Sequence, residues 1–402
     1  MTTEKYTEKN RMSEVKIQEN EIVGFNKYDK VQRSFRVYEG GYAGIHYQQG
    51  EMGDEEGYEK AKRNLDLKRP YPFGLQGGTR TRDKTGRILT DKALMEKARE
   101  ELSWLRRTYP DFSFGGSLYT TVVEMAQENS AGMRYESRDG HNGIGIRFKH
   151  KDSKDIVDGY FSINMRQFSS AKFRRMADNY LAGYTKQLEL PEECIIMMPV
   201  WELTGKLKEF LDAEKIALGI SQLKVGQKAF SDALTVTHDV SQAHCWMSTF
   251  WDAEGFVPKN DRKIFIHKGK VLRGYADRRI AQKYGVECTG SAYQNFQDIP
   301  DNGWMCMRVQ TTGRTPKEML GGRLAIVPLQ ASGGGYKENC EYAMPVQSSY
   351  LTDGEKILGR LPPFTMRSTL FDIFGKDFIG VAKYTPLWDA EMLLVRMEAG
   401  KL

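Results

Sequence analysis

Residues 34–47 read SFRVYEGGYAGIHY, and this alternation decides the first part of the fold. Phe35, Val37 and the residues after the Gly40-Gly41 pair alternate with polar neighbours at period two, as a hairpin with one buried face requires. The preceding EIVGFNKYD (21–29) reads as another strand, so a three-stranded meander is expected between Val15 and Tyr47. GDEEGYEKAKRNLD (53–66) follows, with Glu55, Glu56 and Glu59 early and Lys60, Lys62 and Arg63 late. That charge order suits a helix dipole.

Breakers crowd DLKRPYPFGLQGGTRTRDKTGR (66–87), which reads as a long loop. Thr90 then caps a helix through KALMEKAREELSWLRRTY (92–109), where Leu94, Ala98, Leu102 and Leu105 fall at helical spacing. The strand signature returns over residues 117–152 and 157–168, with a turn expected at Asp139-Gly140. SSAKFRRMADNYLAGYTKQL (169–188) is expected to form a third helix, and Pro191 with its acidic neighbours marks a domain boundary. Beyond it, WELTGKLKEFLDAEKIALGI (201–220) reads as helix with an apolar stripe of Leu207, Phe210, Leu211 and Ile216. The remainder is a series of short strands, and HKGK (267–270) carries Gly269 at a hairpin position.

The fold class expected is α+β in two domains: an N-terminal antiparallel sheet with helices over residues 15–190, and a strand-rich C-terminal domain over 191–402. A length of 402 residues exceeds the roughly 100–200 of a single ordinary core. Residues 1–14 are polar and are expected to be a disordered tail.

The net charge of +6 comes from interleaved charges with no long basic run, which excludes a dedicated nucleic-acid role. No apolar stretch approaches the roughly 18 residues of a membrane span, and the opening residues lack a signal-peptide core. The five cysteines are odd in number and widely spaced, which fits a reducing compartment, so the cytoplasm is the expected location.

An ordered series of motifs runs from Val225 to Ser291: VGQKAFSD (225–232), FWDAEG (250–255), the hairpin Ile266 to Val271, Tyr275 with ADRRIA (276–281), and GVECTG (285–290). This series, with GKDFIGVAKYTPL (375–387) and the N-terminal hairpin, resembles the TldD/PmbA family, also called the modulator of DNA gyrase family. The resemblance implies an α+β N-terminal domain, a C-terminal domain of two packed, barrel-like sheets, and a dimer enclosing a cavity. It also implies proteolysis. TldD-type subunits carry a helical H-E-x-x-x-H zinc motif with a further cysteine ligand, whereas PmbA-type or TldE subunits lack it and pair with a TldD-type partner. The complex cuts unfolded peptides, in peptide maturation or antitoxin degradation.

No His-Glu pair occurs in this chain, and the corresponding helix, 201–220, contains no histidine. The resemblance therefore points to the PmbA/TldE type, with no cofactor in this chain and zinc expected in a TldD-type partner.

Several constellations are candidates for chemistry. Asp252 and Glu254 sit two apart and share a face on a strand, as an acid/base pair would. Arg278 and Arg279 suit a peptide carboxylate. Gly333, Gly334 and Gly335 lack the context of a phosphate loop and, in the family's setting, would line the substrate cavity. The alternative metal set is His238, His244 and Cys340, the histidines being six apart and able to converge only on a loop.

Three readings result. The first is a non-catalytic PmbA/TldE-like subunit of a TldD-type metalloprotease, binding unfolded peptide and forming a heterodimer. The second is a stand-alone peptide hydrolase with a non-standard site. The third is a homodimeric peptide-binding or regulatory protein. An extended peptide gripped by strand addition to a sheet edge fits so strand-rich a chain.

Overall fold

The computed structural model describes every residue except His244, Cys245, Trp304 and Leu402. The N-terminal part runs β1 (Thr2–Gln18), β2 (Glu21–Glu39), β3 (Tyr42–Gln49), α1 (Asp54–Arg63), β4 (Arg69–Pro70), β5 (Gly78–Asp83), α2 (Asp91–Thr108), β6 (Phe112–Asn129), β7 (Met133–His150), β8 (Gly159–Met165) and α3 (Ser170–Ala182). Its strands form one sheet in the order β4-β3-β2-β1-β6-β7-β5, with β8 also on β7. Thr90 accepts the Ala93 amide at 3.3 Å and starts α2. The expected stripe of Leu94, Ala98, Leu102 and Leu105 is buried against β1 and β6.

The rest of the chain continues with β9 (Ile195–Pro199), α4 (Val200–Phe210), α5 (Ala213–Ala217), β10 (Val236–Asp239), β11 (Arg262–His267), β12 (Lys270–Val271), α6 (Arg278–Tyr284), β13 (Ala292–Tyr293), β14 (Asp301–Asn302) and β15 (Met307–Val309). It closes with α7 (Pro316–Leu320), β16 (Ala325–Ala331), β17 (Gly335–Tyr336), β18 (Glu341–Thr352), β19 (Ile357–Leu361), β20 (Phe364–Thr369), α8 (Leu370–Ile373), β21 (Phe378–Val381), β22 (Met392–Arg396) and β23 (Glu398–Lys401). A nine-stranded sheet follows the path β21-β22-β9-β16-β18-β20-β23, with β17 and β19 on β18, and a four-stranded sheet runs β12-β11-β10-β15. The fold is α+β. The sheets stay open, so the barrel-like character expected of the C-terminal part is not present as a closed barrel among the described residues. No helix among them is long and apolar enough to cross a membrane.

Four local expectations are corrected. Residues 1–14, expected to be a tail, lie in β1, which pairs with β2 on one side and β6 on the other. The segment is polar because its side chains make ion pairs to neighbouring elements, such as Lys5 with Asp54 of α1 and Glu128 of β6, each at 2.6 Å, while Glu4 and Tyr6 are buried. The loop expected over 66–87 contains β5, whose backbone pairs in parallel with β7 although its side chains are polar. The β6–β7 turn falls at residues 130–132, and Asp139-Gly140 lies inside β7 because Asp139 is matched there by the buried Lys84 and the half-buried Arg166. The helix expected over 201–220 breaks at Leu211-Asp212, where Asp212 caps α5 by accepting the Glu214 amide at 2.9 Å.

The hairpin at HKGK forms between β11 and β12. Its Gly269 has φ +72°, and a Cβ there would sit 2.1 Å from the Phe230 carbonyl oxygen. Only glycine fits.

The largest apolar core draws on both parts of the chain. Val15, Leu94, Phe161 and Phe173 share it with Met197, Val327, Tyr350 and Leu394. Deleting residues 1–14 strips both β2 and β6 of their shared partner. The truncated chain is expected to lose cooperative unfolding and to aggregate, measurable by circular dichroism melting and size-exclusion chromatography; a melt within a few degrees of the full chain would contradict the central place of β1.

Candidate functional site

Helix α4 turns Leu203, Leu207 and Phe210 into the core and presents Val200, Trp201 and Thr204 to a cavity of about 940 Å³. The opposite wall comes from the N-terminal sheet: His141 of β7, Ile163, Asn164 and Met165 of β8, then Arg166. Asp239, Met307, Arg308 and Val309 supply a third side from the four-stranded sheet, and Trp246 with Met247 a fourth. Tyr384, Asp389 and Glu391 add to the lining, as does the exposed Lys172.

The buried and half-buried charges of the lining are paired. Asp239, 1% exposed, faces Arg262 at 3.0 Å and Arg308 at 3.5 Å, and Arg308 also reaches Glu391 at 3.0 Å. Arg166 pairs with the fully buried Asp139 and donates to the Gly140 carbonyl at 2.9 Å. Its guanidinium lies 4.1 Å from the centroid of the Trp246 ring, whose other neighbour is His141 at 5.6 Å, edge to face. Asp389 accepts from Tyr384 Oη at 2.8 Å and from the Asn164 backbone at 2.9 Å. Burial still pushes its carboxyl up to about 6.

His141 and His238 are both held toward the neutral form by burial. His141 Nδ1 is buried and meets no hydrogen-bond partner among the described residues. His238, in β10, accepts the Cys306 amide at Nδ1 over 2.9 Å.

The residues singled out from sequence separate into distinct places. Asp252, Glu254 and Arg278 come together, away from the cavity. Asp252 Oδ1 accepts the Glu254 and Phe256 amides, each at 2.9 Å, and Oδ2 accepts the Ala292 amide at 3.0 Å. Glu254 accepts from Tyr71 Oη at 2.8 Å and from the Arg278 amide at 3.0 Å. Burial raises both carboxyls, and the charge of Glu254 raises Asp252 further. All four oxygens are thus engaged in joining the loop around 252–256 to Tyr71 and α6. Arg278 binds the Gly74 and Glu254 carbonyls at 2.5 and 3.2 Å, and Arg279 pairs with Asp277 and Asp301.

Gly333, Gly334 and Gly335 form the turn between β16 and β17, all at positive φ. A Cβ on Gly334 would lie 2.5 Å from the Ala343 carbonyl oxygen. Tyr336, next to this turn, donates to the Leu203 carbonyl of α4 at 3.0 Å. Cys340 is buried beside the charges of Lys206 and Glu209, its thiol raised by burial. His244 lies outside the described residues, and among those described no three His, Cys, Asp or Glu side chains group as a metal site would need. On α4 the residues at 201 and 206, on either end of the frame that begins Trp201-Glu202, are tryptophan and lysine. These residues do not fit a zinc site of the family's helical kind.

Sequence reading missed Trp201, Trp246, Arg166, Arg308, Tyr384 and Asp389 as a group, because they converge from five separate segments. Their type carried a signal: large aromatic residues left exposed, Trp201 at 62% and Trp246 at 42%.

The His238 shift has a direct consequence for stability. Its imidazole falls from 6.5 to about 4, through burial first, then the charge of Lys208, against Asp239. The unfolded chain binds that proton and the folded chain does not, so stability is full above about 6.5 and is lost as pH falls toward 4. The loss amounts to about 3 kcal/mol. Denaturant unfolding at stepped pH should show this slope in the native chain and a shallower one in His238→Gln; identical slopes would contradict the assignment.

Residues 200–387 match the PmbA/TldA metallopeptidase C-terminal domain. Among solved structures, TldE from Thermococcus kodakarensis superposes with a TM-score of 0.79 at 15% identity, covering 100% of this chain and 97% of that one. A protein from Thermotoga maritima described as a modulator of a DNA gyrase gives 0.77 at 16% identity, with 99% and 96% covered. One from Bacteroides thetaiotaomicron, described in the same way, gives 0.73 at 14%, with 100% and 94% covered. These identities speak for the fold. No curated protein matches the chain in sequence. Residues 200–387 are thus a domain of the PmbA/TldD kind, on a fold that the chain shares over its full length with TldE and the two modulator proteins.

Proposed function

We propose that this chain is a TldE-like, non-catalytic subunit that pairs with a TldD-type zinc protease and helps to hold its unfolded peptide substrate. The observation that carries this reading is α4: the helix fronting the large cavity presents Val200, Trp201 and Thr204 to it and has no histidine anywhere along its length. Fold alone does not fix activity, and among the described residues no three His, Cys, Asp or Glu side chains group as a metal that activates water would need.

The edge of the four-stranded sheet adds support. β15 ends that sheet, pairs among the described residues with β10 only, and lines the cavity through Met307, Arg308 and Val309. An open strand edge facing a cavity suits a backbone-gripped, extended peptide, whose main-chain groups bind whatever the sequence. In this reading the peptide lies across a chamber completed by the partner, which supplies the zinc.

The test is metal analysis of the purified chain, together with cleavage of an unfolded peptide by the chain alone and after mixing with a TldD-type subunit. The chain alone is expected to hold no stoichiometric zinc and to cut nothing. The mixture is expected to run as a heterodimer by light scattering and to cut in a chelator-sensitive way. One zinc per chain with chelator-sensitive cleavage by the chain alone would overturn the reading in favour of an independent hydrolase.

A further inference from the structure

We infer that the cavity beneath α4 is a side-chain recognition site for large apolar and aromatic residues of the bound peptide. The inference rests on the reading above only for the ligand being a peptide. At about 940 Å³ the cavity lies within the roughly 300–1,000 Å³ of ligand-binding pockets.

Its surface divides into two kinds of group. Apart from the exposed Lys172, the charged ones are already matched: Arg308 by Asp239 and Glu391, Arg166 by Asp139, and Asp389 by the donors of Tyr384 and Asn164. A charged ligand that engaged any of these would have to break an existing contact, and truncating a desolvated pair is costly. Most of the remaining surface is apolar, the buried His141 Nδ1 being a polar exception. Trp201, Trp246 and Tyr384 are 62%, 42% and 44% exposed, and Met165, Met247 and Met307 line the same space.

Two of the three aromatic groups are fixed before any ligand arrives. Trp246 is held by Arg166 on its face and His141 at its edge, and its backbone amide region is tied down where Met247 donates to Asp139 at 2.8 Å. Tyr384 is anchored through its hydroxyl to Asp389. Pinned rings offer contact area at little cost in conformational entropy. The methionines supply the complementary property, since an unbranched thioether adapts to ligands of different shape. Rigid aromatic groups with adaptable thioethers and cancelled charge describe a site that selects for apolar bulk and tolerates sequence variety.

The experiment measures anisotropy of three labelled, unfolded peptides of equal length on the purified full chain. Their host sequence is the same, and they differ only in a central Phe-Leu, Lys-Lys or Glu-Glu pair. The Phe-Leu peptide should bind about tenfold more tightly than either charged one. That preference should fall away in both Trp246→Ala and Trp201→Ala; Trp201 is mostly exposed, so its replacement tests the site even if the first variant fails to fold.

Equal affinities, no binding, a preference for either charged peptide, or an apolar preference that survives the folded variants would overturn the inference. Failure here is distinguishable from failure of the subunit reading. A metal-free, inactive chain that binds all three peptides alike sinks only the recognition site. A zinc-bearing chain that cuts alone while keeping the Phe-Leu preference sinks only the subunit role.

Discussion

Asp139 has no exposed surface, and a carboxylate in that position stands only if cations and donors are fixed around it. Its partners come from three separate segments: Arg166 just beyond β8, Lys84 at 3.3 Å just beyond β5, and the Met247 amide at 2.8 Å. Removing one partner of such a group costs about 3–5 kcal/mol. The compensation therefore fixes more than a charge. It sets Arg166 against Trp246, holds the segment around 247 to the N-terminal sheet, and with them one complete wall of the cavity. Arg82 strengthens the same seam by donating to the Val240 and Ser248 carbonyls at 2.6 and 2.8 Å.

A second seam joins the remaining faces. Arg36, buried beside Glu4 at 3.3 Å, reaches the Asn295 carbonyl at 2.9 Å, and Trp251 donates to Gln127 at 2.7 Å. Gln127 in turn donates to the Ala253 carbonyl, and Glu254 holds Tyr71. Through these contacts residues 250–256 are set on the N-terminal sheet. The motif FWDAEG thus earns its place as the joint between two sheets, and a large apolar core continues across the same junction. The cavity is a property of the junction, so neither part of the chain carries it alone.

Period and capping made much of the fold legible. The stripe on α2, the hairpin about Gly40-Gly41 and the glycine of HKGK each depend on neighbours within a few residues, and each was readable. The polar first strand was not, because what holds residues 1–14 in β1 is backbone pairing on two sides, and the partners on β6 lie about 100 or more positions away in sequence. The same limit explains Asp139-Gly140, which looks like a turn until the cations that bury the aspartate are known. For the site, the absence of histidine from 201–220 was visible in the sequence alone. The residues replacing that chemistry were not, since Arg166, Trp246, Arg308 and Tyr384 have no local pattern to connect them.

A metal site and an apolar recognition site put opposite demands on the wall that α4 faces. A dication needs acceptors left uncommitted, with an outer layer that raises their basicity. Around α4 the neighbours run the other way. Lys208 lies close enough to His238 to depress its imidazole, Arg308 lines the cavity, and Asp239 is already shared between two arginines. Like charge so near would oppose a divalent cation in a space where water screens little. The absence of histidine from α4 agrees with its surroundings: acids that a metal would recruit are spent on arginine, and aromatic and thioether groups line much of the remaining surface. Consistency between helix and environment is what a chain selected for holding a peptide, with chemistry delegated to a partner, would be expected to display.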